Sequence, residues 1–587
     1  MRKYLVILIL FITVGLSATI LNVPEDYRYI SLAIIASVDG DTVLVQPGTY
    51  NGVINFDGKA IMLTSTYLIT GNEADIHHTV LGGSYSDASL ISFINGEDAS
   101  TILSGFTITN TGTPAQGGAI ICDGTSPTLS HLRIVNNSAT TGGAIYTNAA
   151  SPVMLNCEIS GNTGSDFGGA FYLEASTLSM TDCLLESNSC DGGGTLGRGG
   201  ALFVSNSSIN LSRCNFYNNN ALVHAGGIYL SYGSADLFKC RFVGNTGGGN
   251  VGAVYFYKST HMEVINCLFY NNTGTNAGSL RFFTDTAVTD VPTILNTICY
   301  GNSPCEIFFA SDNLSFDVIV AYSDLQGGED AIVTNNVANI VWLDGNIDAE
   351  PQFIAPEEGY YYLEEDSPCL DAGTAYFEYE SIVYLDTEDF IGDSPDLGAC
   401  ETDPEDLPPL AMFSADVITG EAPLTVNFTD NSLGNTVTWN WDFDSDGIVD
   451  SEEQNPQWIY ETADVFSVTL CVWSNSQSSV KTEVDLIEVT APSAIDEQLP
   501  EPVQFMTVYP NPFNPSTTVS FSLESAEEIA LQAYNIKGEF QEVLFKGALP
   551  AGEQNITWQP ENLPSGIYLL RLQNGDKITT SKAILLK

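Results

Sequence analysis

The sequence predicts an all-β protein, most of it a solenoid of short strands, and three observations carry that prediction. The first is repetition. A glycine followed by a small residue and an apolar strand recurs at Gly118, Gly143, Gly169, Gly200, Gly226, Gly252 and Gly278, in steps of 25, 26, 31, 26, 26 and 26 residues. The second is a marker in phase with it, asparagine at positions 110, 137, 162, 188, 219, 245, 272 and 302, with Cys157, Cys183, Cys214, Cys240 and Cys267 five residues ahead of most of them. The third is period-two alternation after each glycine. Ile145/Thr147, Phe171/Leu173, Leu202/Val204, Ile228/Leu230 and Val254/Phe256 take one side, and small, aromatic and polar residues take the other. Fixed-period similarity marks stacked coils, each burying its apolar side on its neighbours. Coils of this length without a helical period read as a right-handed parallel β-helix, stacked at roughly 4.8 Å. The asparagines are expected at a turn, their amides bonding the coils above and below.

The elements follow in order. With 587 residues the chain has room for several domains. Its 72 acidic and 18 basic residues give a formal charge of −54, which repels phosphate backbones and argues against a nucleic-acid partner. Residues 1–18 carry Arg2, Lys3, an apolar run from Leu5 to Leu16 and then Ser17-Ala18, the pattern of a signal peptide cut after Ala18. No later run approaches the ~20 apolar residues of a membrane helix. The mature chain is therefore expected outside the cell or on its outer surface, without a helical anchor.

In 19–65, Ile30, Ala33, Ile34 and Val38 suit a short amphipathic helix, followed by a strand over Thr42–Gln46 and a Pro47-Gly48 turn. This stretch resembles the N-terminal cap of pectin-lyase-like β-helix proteins, which covers the open end of the core. Coils with weaker markers fill 66–116 and 303–340. The Gly-rich run Ser189–Arg198 reads as a plain insertion, since it does not lead a strand into a helix. Residues 343–401, with LDGNIDAEPQF, SPCLDAG and SPDLGACE, resemble a closing segment of bacterial secreted β-helix proteins. The β-helix is thus placed at 19–401, and the acidic, proline-rich 402–409 is a linker.

Residues 410–490 change character. APLTVNFTD, WNWDFDSDG, NPQWIY and FSVTLCVW give short strands at sandwich spacing. Trp441-Asp442-Phe443, Asn455-Pro456, Tyr460 and Phe466–Val472 together resemble a PKD domain, an immunoglobulin-like β-sandwich. A second linker spans 491–503. In 504–587, YPNPFNPSTTVSFSL, a Lys537-Gly538 turn, Trp558 and LPSGIYLLRL are similar to the C-terminal sorting domain of the type IX secretion system, a second such sandwich. That resemblance implies the secretion machinery as a partner. YNIKGEFQEVL departs from the usual pattern in lacking an Asp and an Arg around its glycine.

Fold alone does not decide chemistry, because β-helices include lyases, hydrolases and epimerases as well as adhesins. The best acid-base constellation is Glu158 with Asp182 one coil on, and Arg213 and Lys239 continuing the Asp182 ladder. Stacked Asp182 and Arg213 read more simply as a surface ion pair, so no catalytic residue is assigned. His77, His78, His131, His224 and His261 form no spaced ligand set. The coil cysteines point inward in parallel and read as a thiol ladder packed as small apolar groups. Cys369 and Cys400 lie outside that register and are the pair a bridge would use.

Two binding candidates remain. Position three after each glycine gives an outward column, Tyr146, Tyr172, Phe203, Tyr229 and Tyr255, ended by Arg281. Exposed, it offers sugar rings a flat strip; the same column would also serve as sheet-stabilising stacking, or lie under a neighbouring loop. In the PKD segment, Asp442, Asp444, Asp446, Asp450 and Glu453 stand at positions 1, 3, 5, 9 and 12 of a calcium loop, with Gly447 at 6 and the Ile448 carbonyl at 7. A solvated acidic loop is the alternative there. The expected function is non-catalytic binding of extracellular carbohydrate or another polymer. A polysaccharide lyase, hydrolase or epimerase is the rival, and a stalk displaying the PKD domain is a third reading.

Overall fold

A coil of this chain has three corners, and each corner needs a backbone turn that few side chains tolerate. The coil starting at Val153 shows how they are met. Val153–Leu155, Glu158–Ser160, Thr163–Phe167 and Phe171–Glu174 are its strands, and Thr177–Thr181 begins the next coil. Before the cysteine position the corner residue is left-handed in seven coils in a row: His131, Asn156, Asp182, Arg213, Lys239, Asn266 and Asn296. A second left-handed corner precedes the asparagine position, at Asn136, Ser187, Asn218 and Asn271, with Gly161, Gly244 and Gly301 taking it elsewhere. The third follows the aromatic strand, at Ala149, Ala175, Asn206, Tyr232 and Lys258. The paired glycines answer a different demand. A Cβ on Gly143 would fall on the carbonyl oxygen of Gly169, and one on Gly169 would fall on that of Gly200, so the coils stack there backbone to backbone.

We describe the fold from a computed structural model, covering residues 18–587 except 86, 194–195, 285–289, 312–314, 404, 476, 492–505 and 576. The expected signal peptide, save Ala18, and nearly all of the second linker lie outside the described residues. Strands stack in parallel into a 13-stranded sheet (sheet I, Ile20–Val23 to Ala338–Trp342), an 11-stranded sheet (sheet II, Gly48–Asn51 to Asp324–Leu325) and a 10-stranded sheet (sheet III, Ile54–Asn55 to Ile307–Ser311). A 5-stranded sheet (sheet IV) joins the second and third between Ser138–Thr141 and Thr246–Gly247. Tyr146 pairs with Tyr172, Tyr172 with Phe203, Phe203 with Tyr229 and Tyr229 with Tyr255, so like residues lie over like. This is a right-handed parallel β-helix.

Its core is continuous from Leu21 to Ile332. Asn137, Asn162, Asn188, Asn219, Asn245 and Asn272 are buried, and each donates its side-chain amide to the side-chain oxygen of the next at 2.8–3.0 Å. The same oxygens accept backbone N–H groups, as Asn188 Oδ1 does from Asn162 at 3.1 Å. No ladder amide lacks a partner at its last rung, because Asn302 donates to the buried Glu306 carboxylate at 2.7 Å. The cysteines form the expected ladder, with Cys157, Cys183, Cys214, Cys240 and Cys267 buried and each Sγ 3.3–3.4 Å from the carbonyl two residues back. Burial pushes the Cys157 and Cys240 thiols up, as suits packing groups.

Four expectations change. The N-terminal helix is Ile30–Ala36 with Ile30, Ala33 and Ile34 buried, but Val38 lies past its end and is 56% exposed. The weak coils after residue 65 include two short helices, Tyr67–Thr70 and Glu73–His78, the second capped by Asn72. Cys369 and Cys400 are both free thiols, Cys369 3.4 Å from Asp324 and Cys400 2.9 Å from the guanidinium of Arg241. Each faces a charged partner instead of the other. The closing segment, finally, does more than end the solenoid. Tyr361, Leu363, Cys369, Leu397 and Cys400 pack with Leu268 and Ile298 outside sheet II, and the hairpin Tyr376–Tyr379/Ile382–Asp386 sets Phe377 and Leu385 against Ile265 and Leu295 outside sheet I.

The chain divides into two compact units, one holding the solenoid and most of the next sandwich, the other chiefly residues 489–587. The first sandwich packs a three-stranded sheet containing Leu424–Asp430 with a four-stranded sheet containing Thr438–Asp442 and Val465–Trp473. Trp441, Phe428 and Phe443 are fully buried at its centre. The C-terminal unit has sheets of three and four strands around Val519, Leu531, Leu570, Ala583 and Trp558. Phe513, the aromatic residue of YPNPFNP, is buried 5.1 Å from Trp558.

Candidate functional site

The four acid-base candidates are each committed to an ion pair. Glu158 leaves sheet II and accepts from Arg133 at 2.7 Å and from Ser160 at 2.7 Å. Burial pushes its carboxyl up, but these partners more than offset that and hold it below its ordinary value. Asp182 and Arg213 occupy the left-handed corner and meet in a two-pronged pair at 2.6 and 2.8 Å, both half-exposed. Lys239, at the same corner two coils on from Asp182, lies under the closing segment, 3.1 Å from Asp389 and 3.8 Å from Glu401. The constellation is one ion pair on sheet II, Arg133–Glu158, and a row of corner salt bridges at Asp182, Arg213 and Lys239, the simpler of the two sequence readings.

The aromatic column forms, but its exposure is corrected. Tyr146 and Tyr172 stack at 5.3 Å with planes 5° apart, Tyr172 and Phe203 at 5.2 Å, and Phe203 and Tyr229 at 5.3 Å. Tyr229 and Tyr255 then meet edge to face at 5.1 Å, and the Arg281 guanidinium lies 4.6 Å over the Tyr255 ring. Phe203, Tyr229 and Tyr255 are buried, because Phe167, Arg198 and His224 from the neighbouring corner lie over them. Burial beside Arg198 and Arg281 pushes His224 down to about 4. Only Tyr146 and Tyr172 stay partly open. Beside them runs a polar row: Asn148 donates to Asp123 at 2.9 Å, Tyr172 to Glu174 at 3.2 Å, and Asn206 to Glu174 at 3.1 Å. Outward aromatics look alike in sequence whether a loop covers them or not, so their burial was not legible there.

In the PKD sandwich the strand Thr438–Asp442 delivers Asp442 to the loop, and the carboxylates of Asp442, Asp444 and Asp450 come within 4.8 Å of one another. Asp442 also accepts from Gly447 at 2.9 Å, and Asp450 from Phe443 at 2.8 Å, which ties the loop back on itself. Burial pushes the Asp442 and Asp450 carboxyls up. The Asp446 and Glu453 carboxylates do not join them. Asp446 accepts from the Ile448 N–H at 2.8 Å within its own turn, and Ile448 is 66% exposed. Trp441 N–H donates to the Ser451 carbonyl at 2.8 Å, closing the loop before Glu453, whose carbonyl takes the Trp441 indole N–H at 2.9 Å. Of the five carboxylates expected to converge, three do, those of Asp442, Asp444 and Asp450.

The histidine expectation is corrected at His261, which Asp236, Glu263 and Asp290 surround. A signal existed in sequence, a His-x-Glu pair within one strand and an aspartate one coil earlier. Only known coil registers turn that spacing into contact.

Three family models match the chain: a right-handed beta helix region over residues 60–269, a PKD domain over 407–489 and a secretion system C-terminal sorting domain over 507–587. No curated protein matches. Among solved structures, the PL6 family alginate lyase AlyGC is 13% identical with a TM-score of 0.24, over 60% of this chain and 56% of that one. A carbohydrate-binding module of the beta-sandwich super family is 13% identical with a TM-score of 0.14, over 31% of this chain and 86% of the module. Apo beta-glucuronidase 3 from Bacteroides uniformis is 8% identical with a TM-score of 0.12, over 30% of this chain and 24% of the enzyme. At such TM-scores these likenesses carry no argument here.

The protein is a β-helix with appended sandwich domains. It combines a right-handed β-helix, a PKD domain and a type IX secretion sorting domain, and the last directs it to the cell surface or the medium. Among the described residues no helix is long and apolar enough to cross a membrane.

Proposed function

We propose that the protein binds an extracellular polymer, carbohydrate by preference, without turning it over. The supporting observation is the open end of the aromatic column. Tyr146 and Tyr172 form a flat, partly exposed pair. Asp123, Asn148, Glu174 and Asn206 edge it with amide and carboxylate groups. A sugar ring presents an apolar face to stack and hydroxyls at its rim to hydrogen-bond, and this strip offers both in that order. Tyr146→Ala with Tyr172→Ala is expected to weaken glycan binding at least tenfold while the circular dichroism stays that of the wild type. Equal binding by the folded double variant on a glycan array would reject the platform. Turnover of any uronic-acid or neutral glycan in a product assay would favour the lyase, hydrolase or epimerase rival.

A second reading rests on the PKD loop. Three carboxylates held within 4.8 Å repel one another unless a cation sits among them, and calcium favours such hard oxygens. We propose calcium there, with Asp442, Asp444 and Asp450 as ligands and water completing the shell. Its dissociation constant is expected on the order of 10⁻⁴ M or weaker, as in extracellular modules. Calorimetric titration of the protein with calcium, compared with Asp444→Asn, tests it; identical heats would remove the site.

A further inference from the structure

One cluster on the outer face of the solenoid brings together donor types that neither proposed site uses. The sheet I strands Ser234–Phe238 and His261–Ile265 run in parallel register, with Asp236 opposite Glu263. His261 and Glu263 are two residues apart on one strand, so both leave the same face. The Nε2 of His261 stands 2.9 Å from Asp236 Oδ1 and 3.5 Å from Glu263 Oε1. Its other ring nitrogen, Nδ1, lies 3.2 Å from Asp290 Oδ2. All three ligand atoms of Asp236, His261 and Glu263 fall within 4.8 Å of one another.

The ring orientation is informative. An ionised carboxylate only accepts, so Asp290 faces Nδ1 as an acceptor, and Asp236 and Glu263 face Nε2 in the same way. A proton on Nε2 can point at only one of those two, whereas a metal ion that replaces this proton bonds Nε2 and both carboxylates at once. Zinc–nitrogen and zinc–oxygen bonds of about 2.0–2.2 Å at tetrahedral angles hold ligand atoms roughly 3.3–3.6 Å apart, which the 3.5 Å from Nε2 to Glu263 matches and which the 2.9 Å to Asp236 must open to reach. A carboxylate on the far ring nitrogen is also the usual support of a metal-bound histidine.

We propose that Asp236, His261 and Glu263 form a site for a divalent transition metal of the zinc class, with Asp290 orienting the histidine ring. Two carboxylates and a neutral imidazole balance the charge of such an ion. The nitrogen donor selects against calcium, which takes six to eight oxygens. Three protein ligands leave a position for water or for an oxygen of a bound molecule. The side chains are 46%, 25% and 21% exposed for Asp236, His261 and Glu263, so the ion enters directly from solvent. The site is independent of both the aromatic platform and the PKD loop.

The test is zinc titration of the full mature chain after chelator treatment, followed by calorimetry and by the visible spectrum of the cobalt-substituted protein. The wild type is expected to bind one zinc ion at this site with a tetrahedral cobalt spectrum. His261→Gln should lose at least tenfold in affinity and lose that spectrum. Asp290→Asn should weaken binding about 10- to 100-fold. His224→Gln, a histidine elsewhere on the solenoid, should bind zinc as the wild type does. Equal zinc binding by wild type and His261→Gln would overturn the proposal. So would a wild type that binds no zinc below millimolar concentration and instead shows His261 protonated on both nitrogens by NMR at neutral pH.

Discussion

The outside of the solenoid differs between its first and second halves, although the inside does not. In the coils up to about residue 190, outward positions of sheet II include the partly exposed Arg133, Glu158, Ser160 and Glu186 beside Val135 and Leu184, and Arg133, Glu158 and Ser160 pair among themselves. From residue 215 onward the same positions hold Asn215 and Arg241 together with Tyr217, Val243, Leu268, Tyr270, Ile298 and Tyr300, and the closing segment packs on these last six. Sheet I changes in step, from Thr181 and Ser212 to Phe238, Ile265 and Leu295. Inward positions are set by the repeat, so outward ones decide whether a coil meets solvent or chain. The comparison can be broken at several levels.

The largest effect is expected where the closing segment meets the second half. Leu363 is buried against the outside of sheet II, and Leu363→Asp places an unpaired charge there. We expect a loss of more than about 4 kcal/mol, or outright failure to fold, by denaturant unfolding. Ser160→Asp on the first half removes a donor to Glu158 and sets a like charge beside it, and should cost only about 1 kcal/mol. Similar costs at the two positions would contradict the asymmetry.

Next comes the ladder, which both halves share. Asn162→Ala and Asn245→Ala each strand buried amide partners on the coils beside them. About 2–4 kcal/mol is expected for either. A large difference between the two would show that the interior is not uniform.

The buried carboxyls of the last coils and Glu158 of the first half respond to pH with opposite sign. Burial pushes Glu306 up to about 7 and Asp324 up to about 6, both in the last coils. A raised carboxyl contributes stability that is present below its unfolded value and is lost as pH rises through the folded one. Stability is thus expected to fall between about pH 4.5 and 7. Glu158, in the first half, is held below its ordinary value, so its share is lost as pH falls into the acid range. Unfolding across pH 4–8 should give a shallower decline for Glu306→Gln. An unchanged slope in that variant would count against Glu306 as a source.

The smallest effect belongs to the exposed corner pair. Arg213→Ala is expected to cost under about 1 kcal/mol, because solvent screens both side chains. Lys239→Ala should cost more, since Lys239 is 9% exposed and leaves Glu401 behind at 12%. Equal losses would mean that the closing segment does not shield its corner.

The sequence by itself determined what repeats. Gly143 and Gly169 mark where coils touch backbone to backbone, and Asn162, Asn188 and Cys183 mark positions buried identically in every coil. A residue whose neighbours are copies of itself sees the same surroundings each time, so its spacing alone states its role. The PKD and sorting segments were legible for a related reason, since Trp441 and Phe513 sit in short local motifs and both are buried. The tertiary structure alone decided what depends on distant chain. Tyr229 and Tyr146 occupy the same position of the repeat, yet Arg198 and His224 cover only the former. Cys400 meets Arg241 across 159 residues and Lys239 meets Asp389 across 150, contacts that no period announces. His261 gains Asp236 from the coil before it, 25 residues away, and Asp290 from 29 residues further on. Alternation tells which side of a strand a residue leaves, but what waits on the outer side is set by packing.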